Sequence, residues 1–170
     1  AAAQAMVQGE GLKAVRMAGG KALVGVAFYE YRETSIGVYN EVGVAIAVVR
    51  ADDPAPVFPL LSMLGSLDTG RVGFYIVDLP VTTAAACAAG RELWGYPKFV
   101  TPIQFTLAGN RFSGAVRDPG GAGNIVEFTG ETGFGVPGPL LNLILYSRRD
   151  GAMLRTLVNT RGGARVCLAG

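Results

Sequence analysis

The sequence predicts a mainly β fold (α+β) in which a few short helices accompany antiparallel strands. Apolar runs rich in β-branched and aromatic residues recur along the chain and are short enough to be strands. Turn sequences rich in glycine separate them, as in 118–121 and 161–163. Many short strands joined by such turns are typical of an antiparallel barrel or sandwich.

Each apolar run that lies between two turn signals is interpreted as a strand. The run at 42–49 is a continuous series of Val, Ala and Ile, and the run at 72–79 is β-branched and aromatic. The predicted strands cover residues 22–31, 42–49, 72–79, 104–107, 111–117, 125–129, 141–146, 153–159 and 164–168.

Two helices are predicted between these strands. Residues 54–65 carry Phe58, Leu61 and Leu64 at near-helical spacing. The better case is 83–93, where a threonine at 82 or 83 can cap an alanine-rich segment. Gly95 and Pro97 then end this helix, so that the following residues lie on a rigid turn into the next strand.

Length and composition indicate one globular domain that spans residues 1–170, with 1–20 either poorly ordered or an interface arm. Half of the residues are hydrophobic and only 16% are charged, which favours a homo-oligomer with a buried interface. The net charge is +2 and the arginines are scattered, so nucleic-acid binding is not expected. No apolar run is long enough for a membrane span, and no membrane association is expected.

The sequence contains no histidine, and this excludes several kinds of site. Ser-His-Asp and Cys-His catalysis are excluded, as is zinc bound by histidine. Cys87 and Cys167 are far apart in sequence and sit in apolar settings, which favours two buried thiols in a reducing, cytoplasmic compartment. Neither a dinucleotide nor a P-loop motif is present, so any chemistry must come from Lys, Glu, Asp, Tyr, Arg or a bound cofactor, and no metal site is expected.

Lys98 has the most unusual sequence environment in the chain. It is one of three lysines, with Lys13 and Lys21, and it lies between aromatic and aliphatic residues in the segment Gly90-Arg91-Glu92-Leu93-Trp94-Gly95-Tyr96-Pro97-Lys98-Phe99-Val100. Such a lysine either extends its amine to solvent or is buried where its charge is disfavoured. In the second case its neutral amine can act as a nucleophile.

Two motifs, and the order in which they follow each other along the chain, resemble the acetoacetate decarboxylase family. One is Gly-Arg-Glu followed by Tyr-Pro-Lys at 90–98, and the other is Gly37-Val38-Tyr39-Asn40-Glu41, which is similar to the family's Gly-x-Tyr-x-Glu. The resemblance covers roughly residues 22–168. It implies a cone-shaped antiparallel β-barrel with a few short helices, a homo-oligomeric assembly and a small keto-acid substrate.

The resemblance also implies a reaction and a set of site residues. Lys98 would form an iminium with a β-keto acid such as acetoacetate, and this iminium would accept the electrons released by decarboxylation. Because the lysine iminium takes the place of a cofactor, no cofactor is expected. Acetoacetate decarboxylase is itself a standard example of an activated lysine. Glu41 is expected to line the active site and to move protons or orient the substrate. The candidate catalytic residues are thus Lys98 and Glu41, and the candidate substrate-binding residues are Trp94, Tyr96, Phe99 and Tyr39.

The chain departs from the family pattern at two positions. Phe99 stands where the family's decarboxylases have a second lysine, so the reactivity of Lys98 would rest on burial in an apolar pocket. Val26 stands where a further family acid would fall. Arg16, Arg32 and Arg50 are alternative candidates for the group that binds the substrate carboxylate.

These departures leave two alternative functions open. The same lysine chemistry serves an aldolase or dehydratase that acts on a keto acid without decarboxylation. A non-catalytic protein that binds a small molecule in the same barrel is the third possibility. Arg91 and Glu92 are expected to be structural.

Overall fold

A computed structural model describes residues 1–62 and 72–167, except for the side chains of Leu60 and Leu61. Three α-helices are described, α1 (Ala2–Met6), α2 (Pro59–Ser62) and α3 (Ala84–Trp94), together with a 3-10 turn at Ala18–Gly20. The strands are β1 (Leu12–Ala14), β2 (Val24–Tyr31), β3 (Tyr39–Arg50), β4 (Gly73–Asp78), β5 (Ile103–Ala108), β6 (Arg111–Arg117), β7 (Asn124–Glu131), β8 (Gly135–Gly138), β9 (Leu143–Arg149), β10 (Ala152–Val158) and β11 (Ala164–Cys167).

The predicted mainly β fold is confirmed, but the closed barrel is not. The described strands form a six-stranded sheet, a three-stranded sheet of β5, β6 and β7, and a β8–β11 pair. The six-stranded sheet has the order β1-β3-β4-β9-β10, with β2 also paired to β3. It is mixed rather than antiparallel throughout, because β4 and β9 run parallel.

Differences between the predicted and observed elements have local causes. The strand β1 is not predicted because its three residues are too few to show a period of two. The strand β8 is not predicted because its sequence, Gly-Val-Pro-Gly, consists mostly of residues that are depleted in strands. Of the helix predicted at 54–65, only Pro59–Ser62 is helical among the described residues, and 63–65 lie outside them. Of the two candidate caps, Thr83 rather than Thr82 caps α3, since its side chain accepts a hydrogen bond from the backbone N–H of Ala86.

β3 is the central strand of the core. Residues 41–49 are buried almost without interruption, because both faces of this strand are covered. On one face, Ile46 and Val48 pack with Val7, Leu12, Ile144 and Tyr146. On the other face, Ala47 and Val49 pack with Val15 and Val72. The N-terminal segment thus contributes buried side chains to the core.

The three-stranded sheet packs against the start of β3 and against β2. Val42 of β3 forms a buried cluster with Ile103 and Val116. Phe28 of β2 joins them, with its ring centroid 4.2 Å from that of Phe128. This packing brings the first residues of β3 close to the interior.

The longest helix that the structure describes is α3, with 11 residues. Within residues 1–62 and 72–167, no helix has the length and hydrophobicity to cross a lipid bilayer.

Candidate active site

A short segment, 79–82, lies between the start of β3 and the residues around Lys98 and forms backbone hydrogen bonds with both. On one side it pairs with the start of β3: the N–H of Val42 donates to the carbonyl of Pro80 over 3.0 Å. Glu41 itself forms an isolated antiparallel bridge with Val81. Glu41 is therefore fixed at a strand position inside the hydrogen-bonded sheet rather than on a loop.

The other side of this segment pairs with residues 97–101. The N–H of Val81 donates to the carbonyl of Phe99 over 2.9 Å, and the N–H of Thr101 donates to the carbonyl of Val81 over 3.0 Å. Glu41 and Lys98 consequently lie on the two segments that pair with residues 79–82, one on each side. The backbone places the two residues within side-chain reach although they are 57 positions apart in sequence.

The turn after α3 sets the path of the chain toward Lys98. Gly95 ends the helix in the left-handed conformation, with φ of 61°, and its N–H donates to the carbonyl of Arg91. A Cβ at Gly95 would lie 2.4 Å from the carbonyl oxygen of Arg148, so this position has no room for a side chain. The buried Ser147 hydroxyl donates to the Trp94 carbonyl over 2.6 Å and ties the helix end to β9.

The aliphatic part of Lys98 lies against Gly90 of α3. A Cβ at Gly90 would lie 2.4 Å from both Cδ and Cε of Lys98. The backbone of Lys98 is held from the same helix, since its carbonyl accepts from Arg91 at 3.4 Å and from the Cys87 thiol at 3.5 Å. One face of α3 therefore supports both the main chain and the side chain of the lysine.

Lys98 and Glu41 form a buried ion pair. The Nζ atom of Lys98 donates to Oε2 of Glu41. The side chains are only 6% and 8% exposed, respectively. A buried charge is costly unless it is paired, and here each group compensates the other.

Tyrosine side chains surround this pair on the β2–β3 side. The Tyr31 hydroxyl donates to Oε1 of Glu41 at 3.4 Å. The ring centroid of Tyr39 lies 5.7 Å from Nζ of Lys98, within the range of a cation–π interaction. Tyr31 and Tyr39 are cross-strand partners, and their rings stack with centroids 4.5 Å apart.

The electrostatics keep these phenols neutral. Burial, and then the charge of Glu41, raises the pKa of Tyr31 well above its ordinary value of 10.0. The same two causes raise the pKa of Tyr29 and Tyr39. A neutral phenol can donate a hydrogen bond to the carboxylate, which a phenolate cannot do.

The other predicted site residues occupy different environments. Tyr96 is buried in the cluster of Ala45, Ile76 and Leu79. Trp94 stacks on Tyr96 with centroids 6.0 Å apart and is 40% exposed, while Phe99 is half-buried. The structure thus brings Lys98, Glu41 and Tyr39 together, whereas Tyr96 lies in the core. The predicted apolar environment of the amine is therefore incomplete, because a carboxylate contacts it directly.

Tyr31 was not among the predicted site residues. Its contact with Glu41 depends on the β2–β3 register, in which Tyr31 pairs with Tyr39 and Tyr29 pairs with Glu41. If residues 31–39 are interpreted as the turn of a β2–β3 hairpin, two tyrosines are expected near the Glu41 carboxylate. The length of this loop does not fix the register of the two strands, however, so the sequence does not show which tyrosine contacts the carboxylate.

Two of the three candidate arginines lie at the end of β3 that is far from Glu41, and the third lies at the near end. Arg50 is nine residues from Glu41 along β3, which corresponds to about 30 Å in an extended strand. Arg16 follows Val15, whose N–H donates to Ala47 near the same far end. Arg32 directly follows Tyr31 at the near end, where it is exposed and pairs with Glu30 at 2.7 Å.

The described residues show no set of metal ligands. Within 1–62 and 72–167, three or more Asp, Glu, Cys or His side chains do not come together in a way that could hold an ion. Lys98 and Glu41 are instead a paired base and acid of a kind that can exchange a proton.

Several solved structures share this fold at low sequence identity. An acetoacetate decarboxylase from Legionella pneumophila is 16% identical with a TM-score of 0.52, covering 86% of this chain and 54% of its own. A second acetoacetate decarboxylase is 18% identical with a TM-score of 0.61, covering 99% and 69%. The enduracididine biosynthesis enzyme MppR, complexed with pyruvate, is 14% identical with a TM-score of 0.61, covering 99% and 71%.

The chain spans about half the length of the Legionella protein and about seven tenths of the other two chains. No curated protein shows a significant sequence match to it. The family model for acetoacetate decarboxylase (ADC), in contrast, matches residues 1–167, which is nearly the whole chain. This match includes both motifs and the buried Lys98–Glu41 pair, and the chain therefore belongs to the acetoacetate decarboxylase family.

Proposed function

We propose that this protein is a Schiff-base-forming lyase that decarboxylates a β-keto acid of the acetoacetate type through Lys98. The observation that carries the proposal is the contact between the Lys98 amine and the Glu41 carboxylate in a site shielded from water. The carboxylate can accept the proton that the ammonium must lose before the amine attacks a carbonyl.

The proposed reaction balances without a cofactor. Lys98 transfers a proton to Glu41, its lone pair attacks the keto carbon, and loss of water yields the iminium. The bond to the carboxylate carbon then breaks, carbon dioxide leaves, and the electron pair moves into the iminium to form an enamine. Protonation at carbon and hydrolysis by water release the ketone and regenerate Lys98.

An aldolase or dehydratase is the second candidate. MppR has been solved with pyruvate and with the condensation product of pyruvate and imidazole 4-carboxaldehyde, and it matches this fold as well as an acetoacetate decarboxylase does. Phe99 in place of a second lysine also supports a reaction other than decarboxylation. In this case the enamine formed at Lys98 would attack an aldehyde instead of taking up a proton.

Borohydride trapping tests the Schiff base. The protein is incubated with acetoacetate or pyruvate and reduced, and the modified residue is identified by peptide mass spectrometry. We expect the adduct on Lys98, with Lys13 and Lys21 as internal controls, and none on Lys98→Met. A wild-type protein without an adduct from a panel of keto acids would favour a non-catalytic binding protein.

Release of carbon dioxide separates the two enzymatic candidates. A decarboxylase releases it from acetoacetate, and the reduced adduct then lacks the substrate carboxylate. An aldolase or dehydratase retains the carboxylate in the adduct and consumes an added aldehyde. Assembly into a homo-oligomer and a cytoplasmic location stay predictions, the first supported by exposed apolar side chains such as Phe134.

A further inference from the structure

We propose that Tyr31 is the residue that positions Glu41 for proton transfer with Lys98. The proposal rests on the function proposed above and adds a residue to its machinery. The two carboxylate oxygens of Glu41 have different hydrogen-bond donors, since Oε1 accepts from Tyr31 and Oε2 accepts from Lys98.

This division of oxygens restricts the rotation of the carboxylate. Glu41 has a fixed backbone in β3, but its side chain has rotatable bonds that the sheet does not restrain. If Lys98 were the only donor, the carboxylate could rotate and present either oxygen to the amine. A second donor on Oε1 leaves Oε2 directed at the amine, which is the geometry that proton transfer requires.

Tyr31 is itself held in place by its neighbours. It is the last residue of β2 and lies opposite Tyr39, with the two rings stacked at an interplanar angle of 23°. The ring of Tyr29 extends the stack on the other side, 6.0 Å from that of Tyr31. The hydroxyl can therefore be removed with little change to the aromatic packing.

The role of Tyr31 differs from that of its two neighbours. Tyr39 presents its ring to the lysine, and Tyr29 is 38% exposed at the outer end of the stack. Among the described residues, the Tyr31 hydroxyl is the one group besides Lys98 whose side chain donates a hydrogen bond to the Glu41 carboxylate. Tyr31 thus acts through Glu41 and is a positioning residue rather than a catalytic one.

The experiment compares Tyr31→Phe with Tyr29→Phe, which removes a hydroxyl from the same stack. The rate of borohydride trapping at Lys98 is measured as a function of acetoacetate concentration. For Tyr31→Phe we expect the maximal rate to fall about tenfold or more, with the half-saturating concentration changed by less than about threefold. Tyr29→Phe should retain the wild-type values.

A spectroscopic measurement without substrate shows whether the carboxylate itself is affected. The chain has seven glutamates, and ¹³C labelling of their carboxyl carbons gives a small set of signals in which Glu41→Gln identifies that of Glu41. We expect Tyr31→Phe to shift this signal and to leave the other six in place, which also shows that the variant is folded.

The outcomes separate this proposal from the proposed function. A wild-type protein that forms no adduct overturns the function. If the wild-type protein forms the adduct and Tyr31→Phe traps it at the same maximal rate, or if the Glu41 signal does not move, the positioning role of Tyr31 is wrong and the function stands.

Discussion

The Lys98 amine and the Glu41 carboxylate pair inside the protein, where both side chains are more than nine-tenths shielded from solvent. Removal of two charges from water costs several kcal/mol per ion, and direct contact offsets much of that cost. Because the two residues come from different chain segments, their pairing also links β3 to the chain that follows α3.

Loss of one partner of this pair should destabilise the fold. Lys98→Met or Glu41→Gln each leaves an unpaired buried group, and we expect each to lower the free energy of unfolding by about 3–5 kcal/mol. The double variant Lys98→Met/Glu41→Gln should lose much less than the sum, since it leaves no buried charge. Urea denaturation measures all three.

The exposed pair of Arg111 and Glu131 is a matched control for this cycle, since its side chains are 78% and 58% exposed. Arg111→Met should change the free energy of unfolding by about 1 kcal/mol or less. Additive losses in the Lys98 and Glu41 variants would contradict the buried pairing.

Gly90→Ala tests the support beneath Lys98. Alanine favours a helix over glycine by about 1 kcal/mol, but here its Cβ would meet Cδ and Cε of Lys98 at 2.4 Å. We expect the lysine to be displaced and trapping at Lys98 to slow by about tenfold or more. Gly123→Ala is the control, because nothing lies within 4 Å of its added Cβ. An unchanged trapping rate in Gly90→Ala would mean that Lys98 does not depend on this surface.

Gly95→Ala tests the turn that directs the chain to Lys98. Gly95 and Gly109 share a φ of 61°, but only Gly95 has a close neighbour, the carbonyl of Arg148 at 2.4 Å. Gly109→Ala should cost about 1–2 kcal/mol for its backbone conformation alone. Gly95→Ala should cost about 2–4 kcal/mol, because overpacking adds to this strain. Equal losses, measured by thermal or urea denaturation, would show that the contact with β9 is unimportant.

Stability at alkaline pH should depend on Tyr31. Burial and the Glu41 charge raise its pKa above 10.0, so the folded protein holds the phenol proton more tightly than the unfolded chain does. The resulting stabilisation is complete below about pH 10 and decreases as the pH rises further. The titratable groups around Tyr31 are Glu41, which accepts its hydrogen bond, the phenols of Tyr29 and Tyr39, and Lys98, which pairs with the same carboxylate.

Urea denaturation on either side of about pH 10 measures this dependence. Tyr31→Phe should lose less stability than the wild-type protein over that interval, since it lacks the strongly shifted phenol. A wild-type protein and a Tyr31→Phe variant with equal losses would contradict the prediction. Tyr75→Phe is a comparison at a site away from the pair, where burial raises the pKa of the phenol as well.

Local sequence was sufficient for most of the secondary structure and for two residues of the candidate site. The strand at 111–117, the helix cap at Thr83 and the stop at Gly95 follow from local propensities, and the structure has them at those positions. Lys98 and Glu41 were identified because each belongs to a motif within a few residues. Such signals are visible in sequence because they depend on near neighbours.

The contacts between segments that are distant in sequence could not be predicted from local sequence. The Lys98–Glu41 contact, the place of Tyr31 on the carboxylate and the parallel pairing of β4 with β9 depend on strand order and register. The division of the strands among separate sheets and the burial of Tyr96 have the same origin. Two short motifs identified Lys98 and Glu41 through their resemblance to the family. Long-range hydrogen bonds through 79–82 brought the two residues together, because pairing between strands follows from their packing in three dimensions rather than from nearby residues.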